Sequence, residues 1–175
     1  MQRIMVTGPS GSGKSTLARK LSGKLNLPVI HGDHFYYDAG WAEKSGAETV
    51  ALFNRAADGA RWIIDGNNSA SMAYRAERAD LIVYLDIGRT KRLARTFWRS
   101  LRYFSRTRPD MPDGCHERLD WAFLIGWVWK YPSQDKMERF MQEWVSQRPV
   151  LWLRTSSDVR RFLQDPHAEV QRLQL

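Results

Sequence analysis

Apolar residues fall along this chain in two distinct patterns. Short continuous runs end in a glycine, an aspartate or an arginine: Arg3 to Thr7 (RIMVT), Pro28 to His31 (PVIH), Arg61 to Asp65 (RWIID), Leu81 to Asp86 (LIVYLD) and Pro149 to Arg154 (PVLWLR). Unbroken apolar runs, as opposed to alternating ones, predict strands buried on both faces. Between them the spacing changes to three and four. Leu17, Ala18, Leu21 and Leu25 predict a helix over 14–25, and Val50, Leu52 and Phe53 anchor another over 41–60. Further helices are predicted over 70–79, 89–104, 117–131 and 134–146. A last one begins near Ser156 or Ser157, with Asp158 in its first turn. Strands alternating with helices predict one α/β domain over 1–175, a five-stranded parallel sheet with helices on both faces. The alternation fails once, at about 100–135, where helices and a breaker-rich loop (Pro109, Pro112, Gly114) suggest an insert.

The join between the first strand and the first helix carries the clearest chemistry. Gly8-Pro9-Ser10-Gly11-Ser12-Gly13-Lys14-Ser15 fits G-x-x-x-x-G-K-[ST] throughout, with a strand before it and a helix after it. Glycines let the backbone curl so that successive N–H groups face phosphate oxygens, and the helix adds the positive end of its dipole. Lys14 is expected on the β- and γ-phosphates, the Ser15 hydroxyl on Mg²⁺, and Thr16 near the α-phosphate. The stretch from Gly8 to Thr16, including Ser10 and Ser12, is therefore expected to hold MgATP.

Three predicted strands lead into aspartates: Asp33, Asp65 and Asp86. In a sheet of this kind the third strand lies beside the first, which makes Asp65 the expected metal-side carboxylate, acting through water. Asp33 lies one strand further out, where a carboxylate can bind an acceptor hydroxyl or act as its base. The aromatics that follow, Phe35, Tyr36, Tyr37 and Trp41, are candidates for stacking on an acceptor.

Arg89 to Arg108 holds eight basic residues and no acid. On a helix Arg92, Arg95, Arg99, Arg102 and Arg106 share one face, and Leu93, Phe97, Leu101 and Phe104 share the other. The expectation is a helix anchored by its apolar side and showing arginine to an anion. That anion is either the transferring phosphate or a nucleic-acid backbone. The loop TRPDMPDGCHE follows directly, and together they read as a lid that excludes water from the triphosphate.

Composition narrows the setting. The net charge of +8 favours anionic partners without choosing among them. A lone cysteine, Cys115, excludes an internal disulfide and reads as an incidental loop thiol. No apolar run is long enough to span a bilayer, and the start of the chain has no signal-like segment. A cytoplasmic protein without membrane partners is the expectation.

Taken in order, GPSGSGKSTLARKL, VIHGDHFYYDAGW, RWIIDGNNS, RAERADLIVYLD and the arginine-rich helix resemble the P-loop nucleotide-kinase-like proteins known as DNA topology modulation proteins, relatives of adenylate kinase. The resemblance covers nearly the whole chain. It implies a nucleoside-monophosphate-kinase fold with a helical lid, ATP and Mg²⁺. It implies a catalytic set of Lys14, Asp33, Arg95, Arg99 and Arg106. Acceptor contacts are expected from Asp33, Phe35, Trp41 and Asn67, with Arg75 and Arg78 as candidates for an acceptor phosphate. One departure bears on the acceptor. Adenylate kinases carry Asp-Gly-Phe-Pro-Arg after the third strand, whereas this chain has Asp65-Gly66-Asn67-Asn68-Ser69, without the arginine. Three functions stand at this point: a kinase for a nucleotide or other small metabolite, an ATP-driven switch, and an ATP-responsive nucleic-acid binder.

Overall fold

The computed structural model describes residues 1–131 and 134–173; positions 132 and 133, in the expected insert, and 174 and 175 lie outside the described residues. The strands are β1 (Arg3–Thr7), β2 (Val29–His31), β3 (Trp62–Asp65), β4 (Leu81–Leu85) and β5 (Val150–Leu153). All pairings are parallel, in the order β2-β3-β1-β4-β5. β1 is central, and its register sets Val6 beside Asp65 and Thr7 beside Tyr84. The carboxyl ends of β3, β1 and β4 therefore finish together, which is where an open parallel sheet forms its crevice.

The helices are α1 (Lys14–Leu25), α2 (Asp33–Tyr36), α3 (Gly46–Ala57), α4 (Met72–Arg78), α5 (Arg89–Arg102), α6 (Gln134–Trp144), α7 (Ser156–Gln164) and α8 (Pro166–Arg172), with a π-helix over Phe123–Trp129. Side chains alternate across the sheet. Ile4, Val6 and Val83 face a core with Leu17, Leu21 and Phe162, while Met5, Ile64 and Tyr84 face another with Phe53, Trp62 and Met141. Both faces of β1 are closed off, and the continuous apolar strands follow from that.

Three expected helices are shorter than their sequence patterns. The one over 41–60 begins at Gly46, because Ser45 Oγ accepts the Glu48 N–H and caps it there. The one over 117–131 starts only after Asp120, which accepts the Phe123 N–H at 3.0 Å; Glu117 instead exchanges backbone hydrogen bonds with Ser105 and Arg106. The last helix is two: Asp165 ends α7, and its carboxylate caps α8 at His167 and Ala168.

The apolar stripe of the arginine helix is not its buried side. On α5 the buried residues are Arg92, Thr96 and Ser100, while Trp98 is 68% exposed and Leu101 and Phe104 face solvent. The cause is the loop that α5 passes. A Cβ on Gly11 would stand 2.5 Å from the Arg92 carbonyl oxygen and 2.5 Å from Thr96 Oγ1. A backbone contact that close needs small or polar positions, so the polar stripe turns inward and part of the apolar stripe outward.

Candidate active site

The loop between β1 and α1 is shaped by its glycines. Gly11 has φ +77° and Gly8 φ +143°, and a Cβ on Gly8 would stand 2.6 Å from the Leu85 carbonyl oxygen. Both positions need a residue without a side chain. Gly13 opens α1 in the left-handed region with no side-chain cap, which leaves the helix N–H groups for an anion. Lys14 folds back over the loop and donates from Nζ to the Pro9 carbonyl at 3.1 Å. Burial pulls its amine below the ordinary lysine value, against the opposing charges of Asp33 and Asp65. Arg95 reaches across from α5, donating to the Ser12 carbonyl at 3.0 Å and to Ser156 Oγ at 3.4 Å.

Two carboxylates lie at the strand ends, as the topology requires. Asp65 ends β3, 3% exposed, with Oδ1 3.1 Å from His31 Nδ1 and with Oδ2 buried and without a partner. Burial opposes the charge on His31, but the hydrogen bond and charge of Asp65 outweigh it and raise the imidazole above its usual value. Asp33 opens α2 one strand out and lines the same cleft. The surrounding walls push its carboxyl above the ordinary aspartate range, although Arg108 and Lys14 act against the rise.

The segment after α5 closes this cleft with ion pairs. Arg108, nearly buried, has Nε 2.8 Å from Glu117 Oε2, Nη1 3.6 Å from Asp110 and Nη2 3.9 Å from Asp33. Glu117 also takes Arg99 at 3.3 Å and the Ser100 hydroxyl at 2.9 Å. Asp110 lies against Arg19 at 3.8 Å. Burial opposes its charge, yet Arg108 and the Ser15 hydroxyl hold its carboxyl below the usual range. Cys115 is fully buried beneath this segment, accepting the Trp41 N–H and donating to the Asp38 carbonyl. The thiol is therefore a tie between the segment and the aromatic turn, beyond the incidental loop residue expected.

One cleft of about 2060 Å³ brings together Ser10 to Thr16, Asp33, Trp41, Asp65, Asn67, Arg95 and Arg99. Four of the expected catalytic and acceptor residues lie elsewhere. Arg75 is fully buried under the loop that follows β3, where it donates to the Gly66 and Asn68 carbonyls and stacks over Phe53. Arg78 pairs with Asp58 on the surface and lies over Tyr74. Phe35 packs edge-on to Phe53, 4.9 Å between centroids, on the core side of α2. Arg106 is exposed beyond the end of α5 and is not among the lining residues. Conversely, Arg108, Asp110, Glu117 and His31 escaped the sequence reading. The one available signal was that the loop's acids follow directly on a run of eight bases that has no acid of its own.

The site fits a hard divalent cation. Asp65 Oδ2 is an orphaned carboxylate oxygen, and Ser15 supplies a hydroxyl at the start of α1. Among the described residues no three His, Cys, Asp or Glu side chains gather as a metal centre, so phosphate and water would have to complete the shell.

No family model matches the chain. A stretch of 53 residues is 42% identical to a cytidylate kinase of Sulfurisphaera tokodaii; it makes up 30% of this chain and spans 28% of that protein. Over the whole chain the structure is similar to shikimate kinase from Acinetobacter baumannii in complex with shikimate (TM-score 0.63, 15% identical, 100% of this chain and 96% of that one). It is also similar to a gluconokinase from Sinorhizobium meliloti (0.56, 13%, 98% and 93%). A third is deoxyadenosine kinase from M. mycoides (0.55, 14%, 98% and 99%). The fold is thus the P-loop fold of the nucleotide-kinase type, with its five-stranded parallel sheet and flanking helices. No helix among the described residues is long and apolar enough to cross a membrane.

Proposed function

We propose that this chain is a kinase that moves the γ-phosphoryl group of MgATP to a hydroxyl of a small molecule. The observation that carries this reading is the placement of Lys14, from the phosphate loop, and Asp33, from the start of α2 one strand out, in one cleft. A phosphate-holding ammonium and a carboxylate in one cleft suit phosphorylation of a hydroxyl, the first by neutralising charge and the second by taking the hydroxyl proton.

In this reading the loop from Gly8 to Thr16 binds the triphosphate. Asp33 takes the acceptor's hydroxyl proton as the oxygen bonds to the γ-phosphorus. The bond from that phosphorus to the bridging oxygen of ADP breaks, and the electron pair leaves with ADP. Lys14, Arg95 and Arg99 stabilise the charge that develops. Mg²⁺ held by Ser15, and by Asp65 through water, would supply further charge neutralisation on the phosphates. The segment from Tyr103 to Ala122 acts as a lid, its Arg108 standing 3.9 Å from Asp33. An ATP-driven switch or a nucleic-acid binder gives no role to the acceptor wall around Asp33. The test is ADP release from MgATP, alone and with panels of nucleosides, nucleotides, polyols, sugars and sugar acids. One acceptor should raise turnover far above the water rate; a rate that no acceptor changes contradicts the proposal.

A further inference from the structure

Exposed apolar side chains are concentrated on one part of this chain. Of nine large ones that face solvent among the described residues, seven fall in two stretches. Trp98, Leu101 and Phe104 belong to α5 and the turn after it. Trp121, Ile125, Trp127 and Trp129 belong to the π-helix and the residues leading into it. The two stretches pack side by side. The Arg89 guanidinium lies 5.6 Å over the Trp129 ring, and Phe97 stands 6.1 Å from Trp98 and 6.2 Å from Trp121. They share one surface.

That surface is apolar where a helix in water is normally polar. α5 turns Arg92, Thr96 and Ser100 inward and Trp98 and Leu101 outward. The π-helix (FLIGWVW) has no polar side chain at all and buries only Leu124 and Val128. A helix apolar all round belongs under cover, and a contiguous apolar patch marks an interaction surface. The charges around it say what covers it. Arg89, Lys91, Arg102, Arg106, Arg118 and Lys130 are exposed in or beside the two stretches. Neither helix contains an acid. Between 89 and 130 the exposed acids are Asp113, whose carbonyl accepts the Gly40 N–H at the aromatic turn, and Asp120, whose carboxylate accepts the Phe123 N–H.

An apolar centre rimmed by cations fits a partner that is anionic outside and apolar within. A second copy of the chain would bring the same cations into the contact. A nucleic acid would use the arginines and the rings, but Leu101 and Ile125 offer its bases nothing to stack on. A bilayer with anionic headgroups uses both kinds of residue. Tryptophans and aliphatic side chains enter the headgroup boundary, and lysines and arginines meet the lipid phosphates. The expectation of no membrane partner followed from the length of the apolar runs, which bears on spanning alone; lying on a membrane needs no spanning helix.

We infer that the surface formed by α5 and the π-helix docks on an anionic lipid membrane. Trp98, Arg102, Arg118 and Trp127 also border the cleft, so a docked chain holds the cleft beside the lipid surface. The inference does not depend on which hydroxyl is phosphorylated.

The test uses the full chain with vesicles of phosphatidylcholine alone and of phosphatidylcholine with an equal part of phosphatidylglycerol. Co-sedimentation should show an affinity for the anionic vesicles about tenfold or more above that for the neutral ones. Binding should weaken as salt is raised, and tryptophan emission should move to the blue. Two double variants separate the apolar and the charged contributions, and none of their positions lines the cleft. Trp121→Ser with Ile125→Ser removes part of the apolar centre, and Lys91→Glu with Lys130→Glu reverses charge on the rim. All four residues are exposed, so the melting temperature and the stabilisation by MgATP should stay at wild-type values. Each double variant should lose about tenfold in affinity for the anionic vesicles. Binding to neither vesicle, or equally to both, overturns the inference. So does wild-type binding in either double variant. A dimer in solution that Trp121→Ser with Ile125→Ser separates would assign the surface to a second copy and overturn it. A single-stranded oligonucleotide that binds the chain, excludes the vesicles and is lost in the same variants would assign it to nucleic acid and overturn it too.

Discussion

Asn67 brackets Gly8 on both sides of its peptide unit. Its Oδ1 accepts the Gly8 N–H at 3.1 Å and the Thr7 hydroxyl at 2.6 Å, while its Nδ2 donates to the Gly8 carbonyl at 2.7 Å. The loop after β3 is therefore fastened to the first residue of the phosphate loop, and Tyr36 donates to the Asn67 carbonyl from the acceptor wall. Asn67 holds the two binding surfaces in register.

Asn67→Ala removes all three side-chain hydrogen bonds and leaves part-buried partners unsatisfied. The expected loss is about 1–3 kcal/mol of stability, with MgATP affinity down roughly tenfold, since 1.4 kcal/mol is a factor of ten. Thermal melts with and without MgATP check both. An unchanged nucleotide affinity would show that Gly8 keeps its position without the bracket.

Lys14→Ala removes the ammonium over the loop and keeps its backbone. The apo protein should melt close to the wild type, and the stabilisation conferred by MgATP should vanish. Retained stabilisation by saturating MgATP would place the triphosphate elsewhere.

The pH profile of kcat/KM follows from the two shifted groups. Asp33 must be ionised to act as base, and burial raises its pKa, so the acid limb should lie above the ordinary aspartate value of about 3.9. Lys14 must be protonated, and burial lowers its pKa, so the basic limb should lie below the ordinary lysine value of about 10.4. Asp33→Asn should abolish the acid limb. An acid limb in the variant identical to the wild type's would assign it to another group.

Glu117 is the buried acid on which Arg99, Arg108 and Ser100 converge. Glu117→Ala leaves two guanidinium groups short of a partner, at a cost on the order of 3–5 kcal/mol. The melting temperature should fall and protease cleavage within 103–122 should accelerate. Equal protease resistance in the variant would mean that the lid segment is held by its apolar contacts alone.

The sheet and the phosphate loop were legible in the sequence because local pattern determines them. Continuous apolar runs require burial on two faces, and the glycines between Gly8 and Gly13 serve a backbone path that few other residues can follow. The order β2-β3-β1 sets Asp65 beside β1 and Asp33 one strand out, which follows from the strand pattern and not from distant contacts. What was not legible depends on contacts distant in the chain. Helical spacing gives α5 two faces but not which one turns inward, and the approach of Gly11 decides that. Arg75 and Arg78 were candidates only by resemblance, yet one supports the turn after β3 from below and the other pairs on the surface. Arg108, Asp110 and Glu117 lie in a stretch too polar for a core, and they are buried because their charges neutralise one another.

The most direct measurement compares Asp33→Asn with the wild type in nucleotide affinity and in transfer to the best acceptor. The account predicts unchanged MgATP affinity and acceptor phosphorylation reduced by about 10²–10⁴, the usual contribution of a positioned base. Phosphorylation at the wild-type rate would contradict the assignment of Asp33 and the division of the cleft into a phosphate half and an acceptor half.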